Sequence, residues 1–424
     1  MFWKKYTVMN KKKYITTENF VLLLVFLFPV AGTFIRHWIS DILGLLFMVS
    51  IYYYFKGSRT ALFPEEKKWL WGFVLYFSIF ILTAVVNGWT EEQTSWLGLE
   101  IRFLLIIPIY LMLREIKNVE LAFFYGLVTG LIAVSVWGAY EIYILKLERT
   151  WGTYSSLFIG PVTLLMVTLV VAKVIYYYKW DKKSDIKQII LVTIPIVTAL
   201  WVVALSGTRS AYLGFIAIAW LYFFYYIHNR KVVVAFSLLI FGFVIAVLNI
   251  EMVQNRISSA TQQTLSYIQS EDSRLSEEVS DSSAGIRLEM WRASGYLIKE
   301  SPIFGVGRGN YNKAMQEYID AGLVNPGVNN HSHPHNAFVE TLVSRGIVGL
   351  IVMLFILYYP FYLFFRTRKS SPVTSLMGMS HIILITIFSI TEAATFIKGN
   401  FVAINLIFLS LLFAMHLRKV KSWS

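Results

Sequence analysis

The chain has 424 residues, 57% of them hydrophobic and only 15% charged, with a mean hydropathy of +0.60. A soluble protein carries roughly 25% charged residues, so the composition excludes an ordinary soluble enzyme and points to a polytopic membrane protein, all-α in class. The net charge of +13 would suggest nucleic acid as a partner in a soluble chain. Here the bases fall in short loops between apolar runs, where topology accounts for them, and the absence of cysteine removes disulfide and thiolate chemistry.

A bilayer core takes roughly 20 apolar residues per helix. On that rule about twelve spans are expected, near 19–36, 38–55, 69–88, 97–114, 119–145, 158–178, 188–206, 209–227, 231–250, 337–365, 374–396 and 399–417. The run from Phe20 follows Lys11, Lys12 and Lys13 with no cleavage pattern, so it reads as a retained first span. Three parts follow from this plan: helices over 1–250, a long polar loop over 251–336, and helices over 337–424.

The loops alternate in charge. One set carries Lys4, Lys5, Lys11–Lys13, Lys56, Arg59, Lys67, Lys68, Arg114, Lys117, Lys179, Lys182, Lys183, Lys187, Arg230, Lys231, Arg366, Arg368, Lys369, Arg418, Lys419 and Lys421; the other is poor in base. The positive-inside rule assigns the first set and both termini to the cytoplasm, which puts segment 251–336 on the opposite face. Within that loop Ser258–Ser283, rich in Ser, Gln, Glu and Asp, reads as polar and mobile. Gly285–Glu300 reads as an amphipathic helix with Ile286, Met290, Ala293, Leu297 and Ile298 on one face and Arg287, Glu289 and Arg292 off it. Ser301-Pro302 ends it, and a shorter helix is expected from Asn310 to Ala321. No internal repeat is visible, which weakens a transporter reading built on inverted repeats.

Several charges have no topological role: Glu100, Arg102, Arg209, Arg287, Glu340, Arg345, Glu392 and Lys398. Such groups near bilayer depth face a protein interior or a water-filled cavity, and their placement suggests a polar cavity open to the outer face. Arg209 lies in Leu205-Ser-Gly-Thr-Arg-Ser210, where a planar guanidinium, a hydroxyl and helix-N-terminal amides together suit an anion; snorkelling or salt-bridging is the plainer alternative for Arg209 and Arg287. Gly305-Val-Gly-Arg308-Gly309 lacks the strand and crossover of a dinucleotide site and reads as a tight loop bringing Arg308 or backbone amides toward the membrane. Three of the seven histidines fall in His331-Ser-His333-Pro-His335-Asn336, directly before a membrane helix. Their readings are a zinc site without a partner motif, a polar lip, or a general base at the bilayer surface held in one tautomer beside an Asn.

These residues resemble the O-antigen ligase family, which shares a fold with O-antigen polymerases. The likeness rests on His335-Asn336 followed by Gly346-x-x-Gly349, on Ser206-Gly-Thr-Arg209-Ser, and on Gly285-Ile-Arg287-Leu-x-Met-Trp with Ser301-Pro-Ile-Phe-Gly305-Val-Gly307-x-Gly309-Asn310 behind it. The resemblance implies a GT-C-like glycosyltransferase of the bacterial inner membrane with its active site toward the periplasm. It would transfer a glycan from undecaprenyl pyrophosphate to a sugar hydroxyl of lipid A–core, with inversion and with neither metal nor other cofactor. By that likeness His335 is the catalytic base, Arg209 and Arg287 contact pyrophosphate, and His331, His333, Asn336 and Arg308 support the site or the acceptor entrance. Its partners are the lipid-linked donor, the lipid A–core acceptor and membrane lipids. An O-antigen or exopolysaccharide polymerase and a protein O-glycosylating relative use the same chemistry; a polysaccharide transporter would instead line a midplane path with charges.

Overall fold

The computed structural model describes residues 16–56, 60–177, 186–226, 230–249, 251–269 and 275–421. The basic residues expected in segments 1–15, 57–59 and 178–185 lie outside them. Among the described residues every regular element is helical. In chain order these are α1 (Thr17–Leu27), α2 (Trp38–Lys56), α3 (Pro64–Val86), α4 (Glu91–Glu100), α5 (Arg102–Leu113), α6 (Val119–Ala139), α7 (Ser156–Tyr177), α8 (Ile186–Leu205), α9 (Arg209–Tyr226) and α10 (Arg230–Leu248). There follow α11 (Glu251–Gln269), α12 (Glu277–Asp281), α13 (Gly285–Glu300), α14 (Tyr311–Asp320), α15 (Ala337–Arg366), α16 (Pro372–Thr391), α17 (Ala394–Ile397) and α18 (Gly399–Lys421).

Eight spans among the described residues are long and apolar enough to cross a membrane, against about twelve expected from sequence. α1 is apolar but only 11 residues long, because the chain turns at Phe28 and Pro29 where a span to residue 36 was expected; proline cannot donate the next helical hydrogen bond. Ile190–Leu205 is likewise apolar but short. The fourth span is built from α4 and α5 in succession. The Ser/Gln-rich start of the long loop is helical: α11 runs to Gln269, in a stretch with neither Gly nor Pro.

Long-range packing gathers the helices into one bundle. α15 packs on α3 and α16, α16 on α7, α9 and α18, and α18 on α5 and α2. α18 is buried along nearly its whole length, and its Asn405 and His416 find partners inside the bundle. Asn405 Oδ1 accepts from His381 Nε2–H of α16 at 3.0 Å, and His416 meets Thr367 at 2.6 Å and Thr374 at 2.9 Å. Polar pairs between apolar helices fix which faces meet, a role van der Waals packing alone does not perform.

Basic residues of the short loops gather at one end of the bundle, each paired with a glutamate. There Arg114 pairs with Glu66 at 2.8 Å, Lys421 with Glu65 at 3.2 Å and Lys419 with Glu120 at 2.7 Å. The first residues of α15 and α18 and the last residues of α3 and α16 lie at the other end.

The loop before α15 docks on that helix through a break in it. Gly346 has φ +62 and ψ −165 inside α15, conformations closed to residues with a Cβ. The break frees backbone groups that segment 302–306 satisfies: Val306 N–H donates to Val343 C=O at 2.8 Å and Ile347 N–H to Pro302 C=O at 2.9 Å. Gly305, at φ +69, faces Gly346 so closely that a Cβ on either would strike the opposite backbone, 2.4 Å from Val343 O and 2.1 Å from Ile303 O respectively. Gly346→Ala therefore combines a forbidden backbone angle with a backbone clash. Its strain of at least about 1–3 kcal/mol should lower the melting temperature of the purified protein; an unchanged melt would show that the docking is dispensable.

Candidate functional site

The site is assembled from three places in the chain. The first is α13, whose buried side carries Ile286, Met290, Ala293 and Leu297 at helical spacing, with Ile298 half-buried. Together with Val306, Tyr311, Met315, Val324, Val328 and Val343 they form a small core of their own beneath the loop. Glu289, expected off the apolar face, is fully buried instead. It is kept there by partners: Arg292 at 2.6 Å, the Tyr267 hydroxyl at 2.9 Å and Asn325 N–H at 3.1 Å. Arg287 lies two residues earlier and its side chain stays partly open to solvent.

The second is the histidine segment. Pro326–Asn330 forms a 3-10 turn, after which the chain is pinned where Trp291 Nε1–H donates to Pro334 C=O at 2.8 Å. His335 sits at φ +50, the left-handed region, and a non-glycine residue is held there only by its surroundings. The next residue provides the anchor. Asn336 is the N-cap of α15, and its Oδ1 accepts from Phe338 N–H at 2.9 Å and Val339 N–H at 3.1 Å. The Asn336 side chain, expected to set a histidine tautomer, is thus committed to starting the helix.

The third is the end of α16. Glu392 follows its last residue and is 8% exposed. His335 Nδ1 lies 2.8 Å from Glu392 Oε1 and 3.0 Å from Oε2, so Nδ1–H donates to the carboxylate. Arg287 approaches Oε2 at 3.6 Å, and His333 Nε2 lies 3.7 Å from Oε1, beyond hydrogen-bond reach. His335 Nε2 faces His331 Nδ1 at 3.3 Å. Burial pushes the Glu392 carboxyl up, but the two imidazoles and the Arg287 guanidinium outweigh it and hold the group well below the usual carboxylate range. It is therefore an anion at any working pH. Burial, followed by the charges of His335, His333 and Arg287, lowers the pKa of His331, which favours its neutral form.

Arg209 comes from a fourth element. α9 and α16 pack antiparallel: the Tyr225 hydroxyl donates to Pro372 C=O at 2.9 Å, and Gly214 abuts Leu384 and Phe388. Continuing that register places Arg209, the first residue of α9, level with the end of α16 and Glu392. The hydroxyl of Thr208, suggested as an anion ligand, is already used: it donates to Ser156 C=O at 2.7 Å and ties α9 to α7.

Arg308 is not at a ligand surface. It is 2% exposed, ion-paired with Glu340 at 3.0 Å and Glu100 at 3.8 Å, and lies over the Trp96 ring at 4.4 Å. Arg345 pairs with Glu100 at 2.5 Å and covers the Tyr76 ring at 4.5 Å. Two guanidinium and two carboxylate groups thus neutralise one another inside the bundle, joining α4, the 301–310 loop and α15 directly below the histidines.

Sequence reading noted Glu392 as a charge without a topological role but gave it none of its own. The signal was available: a catalytic imidazole needs a third group to orient it, and Glu392 is an acid at a span end on the same face as His335.

Among known proteins, residues 194–354 match the family model described as O-antigen ligase, a stretch that contains Arg209, Arg287 and all three histidines of the cluster. An uncharacterized protein of Haemophilus influenzae (strain ATCC 51907 / DSM 11121 / KW20 / Rd) is 21% identical over 353 residues, covering 81% of this chain and 84% of its own length.

Removing one member of the buried quartet leaves an uncompensated charge, which costs about 3–5 kcal/mol. Glu100→Gln alone should therefore strongly reduce the yield of folded protein, and adding Arg345→Met should recover part of it. A double variant no better than the single one in a thermal melt would contradict this pairing.

Proposed function

We propose, from the match of residues 194–354 to the O-antigen ligase family model together with the site geometry, that the chain is a membrane glycosyltransferase of that family. It transfers a glycan from undecaprenyl pyrophosphate to a sugar hydroxyl of lipid A–core, at the outer face of the bacterial inner membrane and with both termini in the cytoplasm. The observation that carries this reading is the Glu392–His335 pair, with its hydrogen bond of 2.8 Å and Arg287 beside it.

A sugar hydroxyl is a weak nucleophile. With Nδ1–H committed to Glu392, the lone pair of His335 rests on Nε2, the nitrogen turned away from the carboxylate. The acceptor hydroxyl takes the place next to Nε2 that His331 occupies at 3.3 Å. As its oxygen bonds to the anomeric carbon, its proton passes to Nε2. The bond from that carbon to the pyrophosphate oxygen breaks on the opposite side, and the configuration inverts. Glu392 stabilises the imidazolium that forms, the role an orienting carboxylate plays in a catalytic triad. Undecaprenyl pyrophosphate departs with two phosphates' worth of negative charge. Arg287, whose contact with Glu392 is loose at 3.6 Å, and Arg209, level with it, meet that charge with bidentate donors that need no metal. Arg114, Lys419 and Lys421, all from the basic set of loops, lie together at one end of the bundle, which supports the orientation under the positive-inside rule.

His335→Ala should lower the transfer rate by about 10²–10⁴-fold, the usual range for a general base. Glu392→Gln should fall in the same range without weakening donor binding. Arg209→Ala and Arg287→Ala should impair donor use more than acceptor use. The measurement is steady-state transfer by purified protein with both lipid substrates; near-normal turnover by His335→Ala in folded protein would refute the base assignment. Supplying lipid A–core or a second lipid-linked glycan as acceptor in the same assay separates ligase from polymerase.

A further inference from the structure

His333 takes no part in the chemistry above, yet it is buried beside it. Its side chain is 8% exposed, and Nε2, turned to Glu392, has no hydrogen-bond partner. The other ring nitrogen, Nδ1, lies 3.0 Å from Ser332 Oγ. The 3.7 Å between Nε2 and Glu392 Oε1 contains no hydrogen bond in either tautomer. A buried imidazole nitrogen facing a buried anion across such a gap is costly unless something positive lies between them.

We infer that His333 Nε2, His335 Nδ1 and Glu392 Oε1 form a binding site for a zinc-class divalent ion that switches the catalytic base off. The three ligand atoms lie within 4.8 Å of one another. Tetrahedral bonds of about 2.0–2.1 Å set ligand atoms about 3.3–3.4 Å apart. The present separations, 2.8 Å for His335–Glu392 and 3.7 Å for His333–Glu392, bracket that value, so small side-chain rotations suffice. Two imidazoles and one carboxylate select zinc, nickel or copper over magnesium or calcium.

The surroundings suit the ion. Ser332 Oγ can accept the Nδ1–H of His333, the outer contact that orients a ligating histidine. Glu392 Oε2 remains with Arg287. His335 must present a bare Nδ1, so its proton moves to Nε2, where His331 Nδ1 at 3.3 Å accepts the hydrogen bond. The ring is neutral before and after, and no proton is lost. This tautomer is the inactive one, because Nε2–H cannot take a proton from the acceptor hydroxyl. The metal is thus an inhibitor here, and the inhibitory consequence rests on the base reading of His335.

The test uses the full chain, free of any histidine tag, in lipid nanodiscs and titrated with zinc chloride. One zinc ion per chain should bind. X-ray absorption should show two imidazole nitrogens and a carboxylate oxygen, and cobalt in place of zinc should give tetrahedral d–d bands. The spectra come from the unaltered protein, so they do not depend on any variant folding. His333→Ala and Glu392→Gln should each weaken binding at least tenfold, and magnesium should not compete. No binding, or binding that both variants leave intact, overturns the site and leaves the base reading untouched. Zinc that saturates the site without slowing transfer overturns the inhibitory role, and with it the assignment of His335 as base.

Discussion

The contact between the Glu392 carboxylate and His335 Nδ1 fixes more of this protein than any other. A carboxylate 8% exposed is tolerated only with charge or hydrogen-bond partners around it; Ala393 N–H donates to Oε1 at 3.1 Å, and the charged neighbours all come from the polar loop. The end of α16, the start of α15 and the first turn of α13 must therefore meet at one point. In return the carboxylate sets the tautomer of an imidazole that stands in a left-handed backbone conformation at φ +50.

The remaining architecture supplies the rigidity this meeting needs. The Asn336 cap and the Trp291–Pro334 bond hold the histidine segment from both sides. One turn further on, Glu340 enters the neutral quartet with Arg308, Glu100 and Arg345, which couples α15 to α4 and to the glycine loop. The backbone exchange across Gly305 and Gly346 locks that loop onto α15. Sites held by packed helices keep their geometry better than sites on free loops.

Much of this was legible in the sequence. The apolar face of α13 could be read from spacing, because Ile286, Met290, Ala293 and Leu297 need only the helical period to share a side. The short helix expected over 310–321 needed only its bounding glycines, and α14 occupies Tyr311–Asp320. What escaped the sequence depends on contacts distant in the chain. Glu289 looked solvent-facing because Tyr267 and Asn325 are not visible as its partners from local pattern. Arg308 looked available to a ligand because nothing local announces Glu100, more than two hundred residues earlier. The length of α1 was overestimated because the apolar run continues through Pro29, which composition counts as neutral but the backbone does not. Glu392 could be flagged as an unexplained acid on the same face as His335, and the packing of α16 brings the two within 2.8 Å.

The three groups at the site divide the work in a way one residue could not. The carboxylate holds a charge that never needs to move, the imidazole moves the proton, and the guanidinium groups wait for the leaving phosphate. The most direct measurement is a double-mutant cycle on the transfer rate, with His335→Ala, Glu392→Ala and both together in the purified protein. If Glu392 acts only through His335, the double variant should be no slower than His335→Ala alone, because residues that act as a unit are strongly non-additive. Losses that multiply in the double variant would contradict a coupled pair and place Glu392 in a separate role.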